Sequence, residues 1–238
     1  MGPWEAIVVV AITAVGATVH ASVGLGLGLV AGPVLLAVDP GFLPGPAILA
    51  TLLVTARHLI ADGPHADRRT VGRAFVGVPV GLALGLLIVA AADESAMRIV
   101  IGSIIVIAAA LLLLGVHVER TPRTDVAGGG AFALSLIAAG IPGPAAAVAF
   151  HDLPPAEYRG TMGYIGIPAS VLSVGLLAVA GEFGAHELEL TAWLLPGVVI
   201  GLVAGRHVRP LVDTAWFRPA VLWLALTGGA VVVIRQLV

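Results

Sequence analysis

Two short stretches, Gly24-Leu25-Gly26-Leu27-Gly28 and Gly140-Ile141-Pro142-Gly143-Pro144, interrupt long apolar runs at matching places in the two halves of the chain. Glycine adds backbone freedom and proline removes an N–H donor, so both residues weaken or end helices. Inside a bilayer, a broken backbone persists only where protein or a polar cavity satisfies its hydrogen bonds. Paired breaks in corresponding segments therefore predict an all-α polytopic membrane protein with a transport site.

The composition supports a membrane protein. Of the 238 residues, 59% are hydrophobic and only 11% are charged, whereas soluble domains average about 25% charged residues. The chain has no cysteine, which excludes disulfides, thiolate catalysis and cysteine metal sites. Its net charge of −2 predicts no nucleic-acid partner. Because the first residues lack positive charge, we expect the first helix to remain in the mature protein rather than serve as a signal peptide.

The apolar runs predict two repeats of similar order. Repeat 1, residues 1–116, has a broken-helix hairpin over 4–38 and three transmembrane helices at about 42–61, 71–92 and 95–116. A polar linker follows at 117–125. Repeat 2, residues 126–238, has a hairpin over 126–151 and helices at about 157–181, 189–206 and 216–236.

Matching residues indicate that the repeats arose by internal duplication. Pro79-Val80-Gly81 with Gly85 in repeat 1 resembles Pro196-Gly197 with Gly201 in repeat 2, and both lie in the third apolar run of their half. Glycines at this four-residue spacing are typical of helices that pack closely.

The arginines distinguish two topologies, because cytoplasmic loops collect positive charge. If each broken segment crossed the membrane once, seven arginines would lie inside and five outside. If each broken segment turns back, ten lie inside, and only Arg98 and Arg235 lie outside. The second arrangement predicts six full spans plus two helical hairpins, in repeats inverted about the membrane plane. It places the protein in the inner cell membrane, with the linker 117–125 on the cytoplasmic side. The sequence leaves open whether each hairpin is re-entrant or a pair of short full spans.

The helix breaks also predict a binding site for a small anion. A helix N-terminus carries about half a positive charge and unsatisfied N–H groups, and glycine lets an oxyanion approach them. Two hairpins that bend at their glycines would present such ends to one site. The candidate substrate-binding residues at and around the breaks are Ser22, Gly24, Gly26, Gly28, Thr51, Arg57, Gly140, Gly143, Arg159 and Thr161. His20 and His58 are candidates for proton coupling, because histidine titrates near physiological pH.

Structural roles are alternatives for several of these residues. The glycines can serve close packing alone, and Arg57 can extend to the membrane surface and orient its helix. Arg159 can form a structural ion pair with its neighbour Glu157. His20 can be a hydrogen-bonded residue at a helix end.

Enzymatic activity is not predicted. No pair of carboxylates lies in an apolar run, and the seven histidines lack the spacing of metal ligands. No serine lies in a nucleophile elbow. The sequence therefore predicts no metal and no cofactor.

At these motifs the chain resembles the sulfite exporter TauE/SafE family over nearly its whole length. Gly24, Gly26, Gly28 and Pro33 fit the first glycine cluster of the family, with Leu27 where the family has its middle glycine. That replacement narrows the room at the first break. In the second half, the motifs that resemble the family are Gly140-Ile-Pro-Gly-Pro144, Leu153-Pro154-Pro155 and Tyr158-Arg159-Gly160-Thr161.

The resemblance implies a secondary transporter that exports sulfite, sulfonates or related small organic anions. An ion gradient would drive this transport. The hairpin tips would form its site, and transport would proceed by alternating access. The partners would be the anion and the lipid bilayer, and a homodimer is compatible with the sequence. Two alternatives are an anion channel-like pore and a non-transporting membrane scaffold or accessory protein.

Overall fold

The computed structural model describes residues 1–116, 118–142, 144–212 and 217–237, and every regular element in these ranges is helical. This confirms the all-α fold class. Short 3-10 turns flank the third α-helix, at Pro40–Phe42 and Gly63–His65. The α-helices are α1 (Pro3–Val23), α2 (Leu27–Val38), α3 (Gly45–Asp62), α4 (Arg68–Ala91), α5 (Glu94–Leu113), α6 (Pro122–Ala139), α7 (Pro144–Ala149), α8 (Pro155–Ala180), α9 (Ala185–Val212) and α10 (Phe217–Leu237).

Length and hydropathy make this an integral multi-pass membrane protein. Large apolar side chains lie on its outer surface, such as Ile60 at 83% and Val179 at 90% exposure, where lipid rather than water can cover them. Two further apolar helices are shorter, Leu27–Val38 and Leu222–Gln236. Within the described residues, six segments are long and apolar enough to cross a membrane: Pro3–Val23, Pro40–His65, Arg68–Ala91, Glu94–Leu113, Pro155–Ala180 and Ala185–His207.

Local capping moves two helix starts away from the predicted positions. Residues 122–125, predicted as part of the linker 117–125, form the first turn of α6. The Thr121 hydroxyl accepts from the N–H of Thr124 at 3.2 Å, and the Thr124 hydroxyl accepts from the N–H of Thr121 at 2.7 Å. Helix α9 begins at Ala185 rather than 189, where Glu187 accepts from the N–H of Gly184 at 2.7 Å.

Each hairpin returns to the face of the protein where it begins. In hairpin 2 (α6–α7), Asp125 in the first turn of α6 and Asp152 just after α7 both pair with Arg120, at 3.5 and 3.4 Å. In hairpin 1 (α1–α2), Val10 lies beside Gly197 of α9, and Gly41, just after α2, lies beside His186 and Leu190 at the start of α9. We call the end of the molecule that carries Arg68, Arg73 and Arg120 the arginine-rich face. The opposite end, with Glu94, Glu182 and Glu187, is the acidic face.

Each hairpin also packs against a long helix from the other half of the chain. In hairpin 1, α1 runs parallel to α9, with Gly197 against Val10 and Gly205 against Ala21. In hairpin 2, α6 runs parallel to α4 through Gly77, Gly81 and Gly85. The glycines allow backbones to touch, because a Cβ atom placed on Gly81 would lie 2.0 Å from the carbonyl oxygen of Gly130.

Helices α3 and α8 lie side by side and antiparallel between the hairpins. Gly160 packs against Asp62, and Gly166, further along α8, packs against Thr55, earlier on α3. Helices α5 and α10 are antiparallel in the same way, since Ser95 donates to Gln236 at 3.1 Å and Gly102 packs against Gly229. The antiparallel α3–α8 pair, with a hairpin on either side, frames the interior of the protein.

Candidate functional site

The first break is a two-glycine reversal between α1 and α2. Gly24 and Gly26 have φ angles of 96° and 134°, in the left-handed region that favours glycine. The Gly24 N–H donates to the carbonyl of His20 at 2.8 Å and closes α1. Helix α2 then begins at Leu27 without a side-chain cap. Its first amides carry the positive end of the helix dipole.

The second break follows α6 and lies against the first turn of α2. Gly140 has a φ of 66°, and its N–H donates to Leu136 at 2.8 Å. Gly28 packs so closely on this break that an added Cβ would lie 2.8 Å from Ile141 and 2.9 Å from the Gly140 carbonyl oxygen. The predicted site residue Gly143 lies outside the described residues. Helix α7 has six residues, against twelve in α2, so its dipole is the smaller of the two.

Both breaks reach one small cavity, which Gly24 of the first break and Pro142 of the second line. Helices α1, α3, α6 and α8 and the second break contribute to its wall. The lining residues are His20, Gly24, Thr55, His58, Phe132, Pro142, Met162, Gly166 and Ser170. The set combines polar residues with the apolar side chains of Phe132, Pro142 and Met162.

Two histidines from neighbouring helices meet in the cavity wall. The rings of His20 on α1 and His58 on α3 have centroids 5.7 Å apart. Both residues are buried, with 3% and 1% exposure. The His58 Nε2 atom lies 3.3 Å from the carbonyl oxygen of Ala21. The Nδ1 atoms of both rings form no hydrogen bond with the described residues.

A buried ion pair joins the end of α3 to the first turns of α8, next to the first break. Arg159 on α8 donates to Asp62 on α3 through two nitrogens, at 2.8 and 3.2 Å. Arg159 thus forms a structural ion pair, the alternative role considered for it, but its partner is Asp62 and not Glu157. The reason is that Arg159 points into the α3–α8 interface, where Asp62 ends α3. A Cβ atom added to Gly24 would lie 3.0 Å from both Arg159 and Tyr158, so the pair borders the first break.

Two other predicted site residues lie outside the cavity lining. Ser22 is buried and donates to the carbonyls of Thr18 and Gly205, at 2.8 and 3.2 Å. Thr161 accepts from the backbone N–H of Asp67 at 3.0 Å.

The rest of that set occupies α3 and the two breaks. Arg57 is half-buried and Thr51 is buried, both on α3, and the Thr51 hydroxyl forms no hydrogen bond with the described residues. Gly26 packs against Val19, and Gly140 packs against Pro44. Of the candidate set, the structure thus brings His20, Gly24 and His58 together at the cavity.

Several cavity residues were not among the sequence candidates, namely Thr55, Phe132, Pro142, Met162, Gly166 and Ser170. Pro142 lies inside the second break, and Ser170 is a polar residue in the apolar run of α8. Both features could have identified these residues as site candidates from the sequence. Phe132 and Met162 are indistinguishable in sequence from ordinary core residues.

A cluster of charges at the arginine-rich face holds hairpin 2 in place. Arg120 pairs with Asp67 at the start of α4, in addition to Asp125 and Asp152. Partial burial of Asp67 raises the pKa of its carboxyl. Hydrogen bonds from Thr70, Arg120 and Arg69 outweigh that effect and lower this pKa to about 2. Burial lowers the pKa of Arg120, but the surrounding carboxylates outweigh it and raise this pKa above its ordinary value.

Together, an all-helical multi-pass fold and two helix breaks at a buried cavity define a membrane transporter. The sequence model of the sulfite exporter TauE/SafE family matches residues 8–232, and the chain belongs to that family. It is a family of membrane transporters and not of enzymes. Membership implies a transporter of sulfite or a related anion in a lipid environment. Comparison with curated proteins finds no match, and comparison with solved structures finds none either.

Proposed function

We propose that this protein is a secondary transporter that exports sulfite, a sulfonate or a related small organic anion by alternating access. The observation that carries this proposal is the shared cavity, which Gly24 of the first break and Pro142 of the second both line. Uncapped amides of α2 lie beside the second break and favour negative charge. An anion would bind between the two breaks.

Alternating access requires a site that can open to either face, and inverted repeats provide it. We propose that residues 1–116 and 126–238 are two such repeats. In support, the contact of α1 with α9 corresponds to the contact of α6 with α4 when the halves are exchanged, and both pairs are parallel. The corresponding helices α3 and α8 are antiparallel, which is expected if the halves are related by an axis in the membrane plane.

The predicted site residues have graded roles in this proposal. His20, Gly24 and His58 would contact the anion or its water, because they line the cavity. Gly26 and Gly28 would keep the first turn of α2 close to the second break, and Gly140 and Gly143 would shape that break. Ser22, Thr51, Arg57, Arg159 and Thr161 would support the wall, with Arg159 nearest to the anion.

The protein would lie in the inner membrane of the cell. Its arginine-rich face, including the linker 117–125, would be on the cytoplasmic side. The chain has no native cysteine, so single cysteines can report the orientation. A cysteine at exposed Glu182 should react with an impermeant maleimide added to intact cells, and one at exposed Arg123 should react only after lysis. The reverse pattern would overturn the orientation. A homodimer stays a prediction, to be tested by mass photometry in nanodiscs.

Flux into proteoliposomes tests the transport function. Purified protein should take up labelled sulfite or sulfoacetate with saturation, and internal unlabelled anion should accelerate this uptake by exchange. A channel-like pore would conduct without either property. A scaffold would leave every anion outside, as in liposomes that lack the protein, and this result would overturn the proposal.

A further inference from the structure

Among the described residues, none that lines the cavity carries a fixed positive charge. Of the nine lining residues, seven are glycine, proline, hydroxyl or apolar residues, and the other two are His20 and His58. Arg159 is nearby, but its guanidinium is already paired with Asp62. An anion taken out of water needs a compensating charge. Among the described lining residues, the two imidazoles are the groups that can supply one.

The geometry of the two rings suits a shared ligand. Each has a buried Nδ1 atom with no hydrogen-bond partner among the described residues, which is costly unless a bound molecule or water uses it. A protonated imidazole donates through both nitrogens. The rings are close, at 5.7 Å, so a second positive charge on the pair would be repelled by the first.

We propose that His20 and His58 form the anion-binding pair of the cavity and take up one proton together with each anion, so that the protein moves anion and proton in the same direction, with the outward gradient of the anion driving both during export. This inference rests on the proposed function and assigns its coupling ion. Binding of the anion favours the imidazolium, and the imidazolium favours the anion, as reciprocal linkage requires. When the anion leaves on the other side, the proton leaves with it, and the empty cavity returns uncharged.

The surrounding charges leave the pair free to act in this way. On α3 the neighbouring ionisable groups are Asp62 and Arg57, and on α8 they are Arg159 and Tyr158. Arg206 and His207 on α9 are exposed. Helix α2 contains no ionisable residue, and those of α6, Arg123 and Asp125, lie in its first turn at the arginine-rich face. The Asp62–Arg159 pair is mutually neutralised, so it does not replace a proton on the pair.

The test measures protons and sulfite together. Proteoliposomes loaded with a pH-sensitive dye receive a sulfite gradient, and the ratio of protons to sulfite is recorded for the wild type and for the double variant His20→Asn, His58→Gln. Glutamine keeps a donor near the carbonyl of Ala21, and asparagine keeps a polar group in place of the His20 Nδ1 atom. Sulfite itself can carry a proton, so the difference between the two proteins is the informative quantity. His207→Gln, at an exposed histidine, is the matched control.

We expect the wild type and His207→Gln to move about one more proton per sulfite than the double variant, whose residual sulfite flux is lower because it lacks the anion-binding pair. Equal ratios in all three proteins would overturn the inference and leave the proposed function intact. If the double variant moves no sulfite, its stabilisation by sulfite is measured from pH 5 to pH 8. A loss of the wild-type pH dependence supports the inference, and an unchanged dependence overturns it. A wild type that moves no anion at all overturns the proposed function, and the inference with it.

Discussion

The two hairpins share a backbone plan and differ in chemistry. Hairpin 1 places His20 and Gly24 at the cavity, and the Asp62–Arg159 pair lies beside its break. Hairpin 2 contributes Phe132 and Pro142, and its break packs against Pro44 and Ala47. Both hairpins use glycines to approach a long helix of the other half. The two hairpins therefore pack in similar ways, while the polar groups of the site are concentrated at hairpin 1 and the helices next to it.

This difference teaches that two hairpins with a similar backbone plan need not have the same chemistry. The packing of backbones fixes where each break lies, and a few side chains then decide which break is polar. Hairpin 2 has its own ionic contacts, but they lie at the arginine-rich face, away from the cavity. Variants that affect one hairpin and leave the other unchanged can therefore separate scaffold from chemistry.

The largest effect is expected at the ion pair beside the first break. Arg159→Gln should lower the free energy of unfolding by about 3–5 kcal/mol, because it leaves Asp62 buried without its cation. Thermal unfolding in detergent measures the change. Arg98→Gln is the control, since its partner Glu94 is 72% exposed and such a pair contributes at most about 1 kcal/mol. Equal melting temperatures for the two variants would contradict the importance assigned to the buried pair.

The next effect concerns the contacts between hairpins and long helices. Gly81→Ala should destabilise by about 1–3 kcal/mol, because the added Cβ would lie 2.0 Å from a backbone oxygen of α6. Gly201→Ala should lower the free energy of unfolding by less, since the atom nearest to its added Cβ is in the Ala17 side chain, at 2.4 Å. Gly72→Ala, also on α4 but with nothing within 4 Å, should be neutral or stabilising. If the Gly81→Ala variant has the same melting temperature as the wild type, α4 and α6 can move apart without loss of stability.

A third variant compares two glycines of like backbone conformation. Gly24 and Gly181 have φ angles of 96° and 85°, so alanine should cost each about 1–2 kcal/mol. Only Gly24 faces the cavity and contacts Arg159, whereas Gly181 has nothing within 4 Å. Sulfite uptake should therefore fall several-fold in Gly24→Ala and stay near wild type in Gly181→Ala. Parallel losses in both variants would show that backbone strain alone limits transport.

The smallest effect is a pH dependence at the arginine-rich face. The pKa of Asp67 is about 2 in the folded protein and near 3.8 when its contacts are absent. The stability that it contributes is therefore complete above pH 4 and is lost as the pH falls toward 2. In the variant Asp67→Asn, the melting temperature should therefore depend less on pH between pH 4 and pH 2. The double variant Asp67→Asn, Arg120→Gln should lose less free energy of unfolding than the two single variants lose in sum, because the two residues share contacts.

Most of the fold could be predicted from the sequence, because the bilayer leaves few alternatives. The breaks at Gly24 and Gly140 interrupt apolar runs, and only helices satisfy the backbone in lipid. The boundary errors occurred where local capping extends a helix into polar sequence. Thr121 starts α6 before the predicted linker ends, and Glu187 belongs to the first turn of α9 although it looks like loop.

Less of the candidate site could be predicted. Phe132 and Met162 line the cavity, but in an apolar chain nothing in the sequence separates a lining residue from a packed one. Asp62 ends α3 and looks like a surface residue until α8 brings Arg159 to it across 97 positions of sequence. Contacts of that separation depend on how helices pack, which hydropathy does not report.

The pairing of each hairpin with a helix of the other half sets an order of assembly during synthesis. The partner of hairpin 2 is α4, which is made before it, and the bond from Arg73 to Asp125 joins residues only 52 apart. Hairpin 1 is made first, yet its partner α9 comes near the end of the chain, and the bond from Ser22 to Gly205 spans 183 residues. The broken helices α1 and α2 must therefore stay in the membrane, without their final neighbour, until translation is almost complete. That interval is when this chain most needs an insertase or chaperone to shield them.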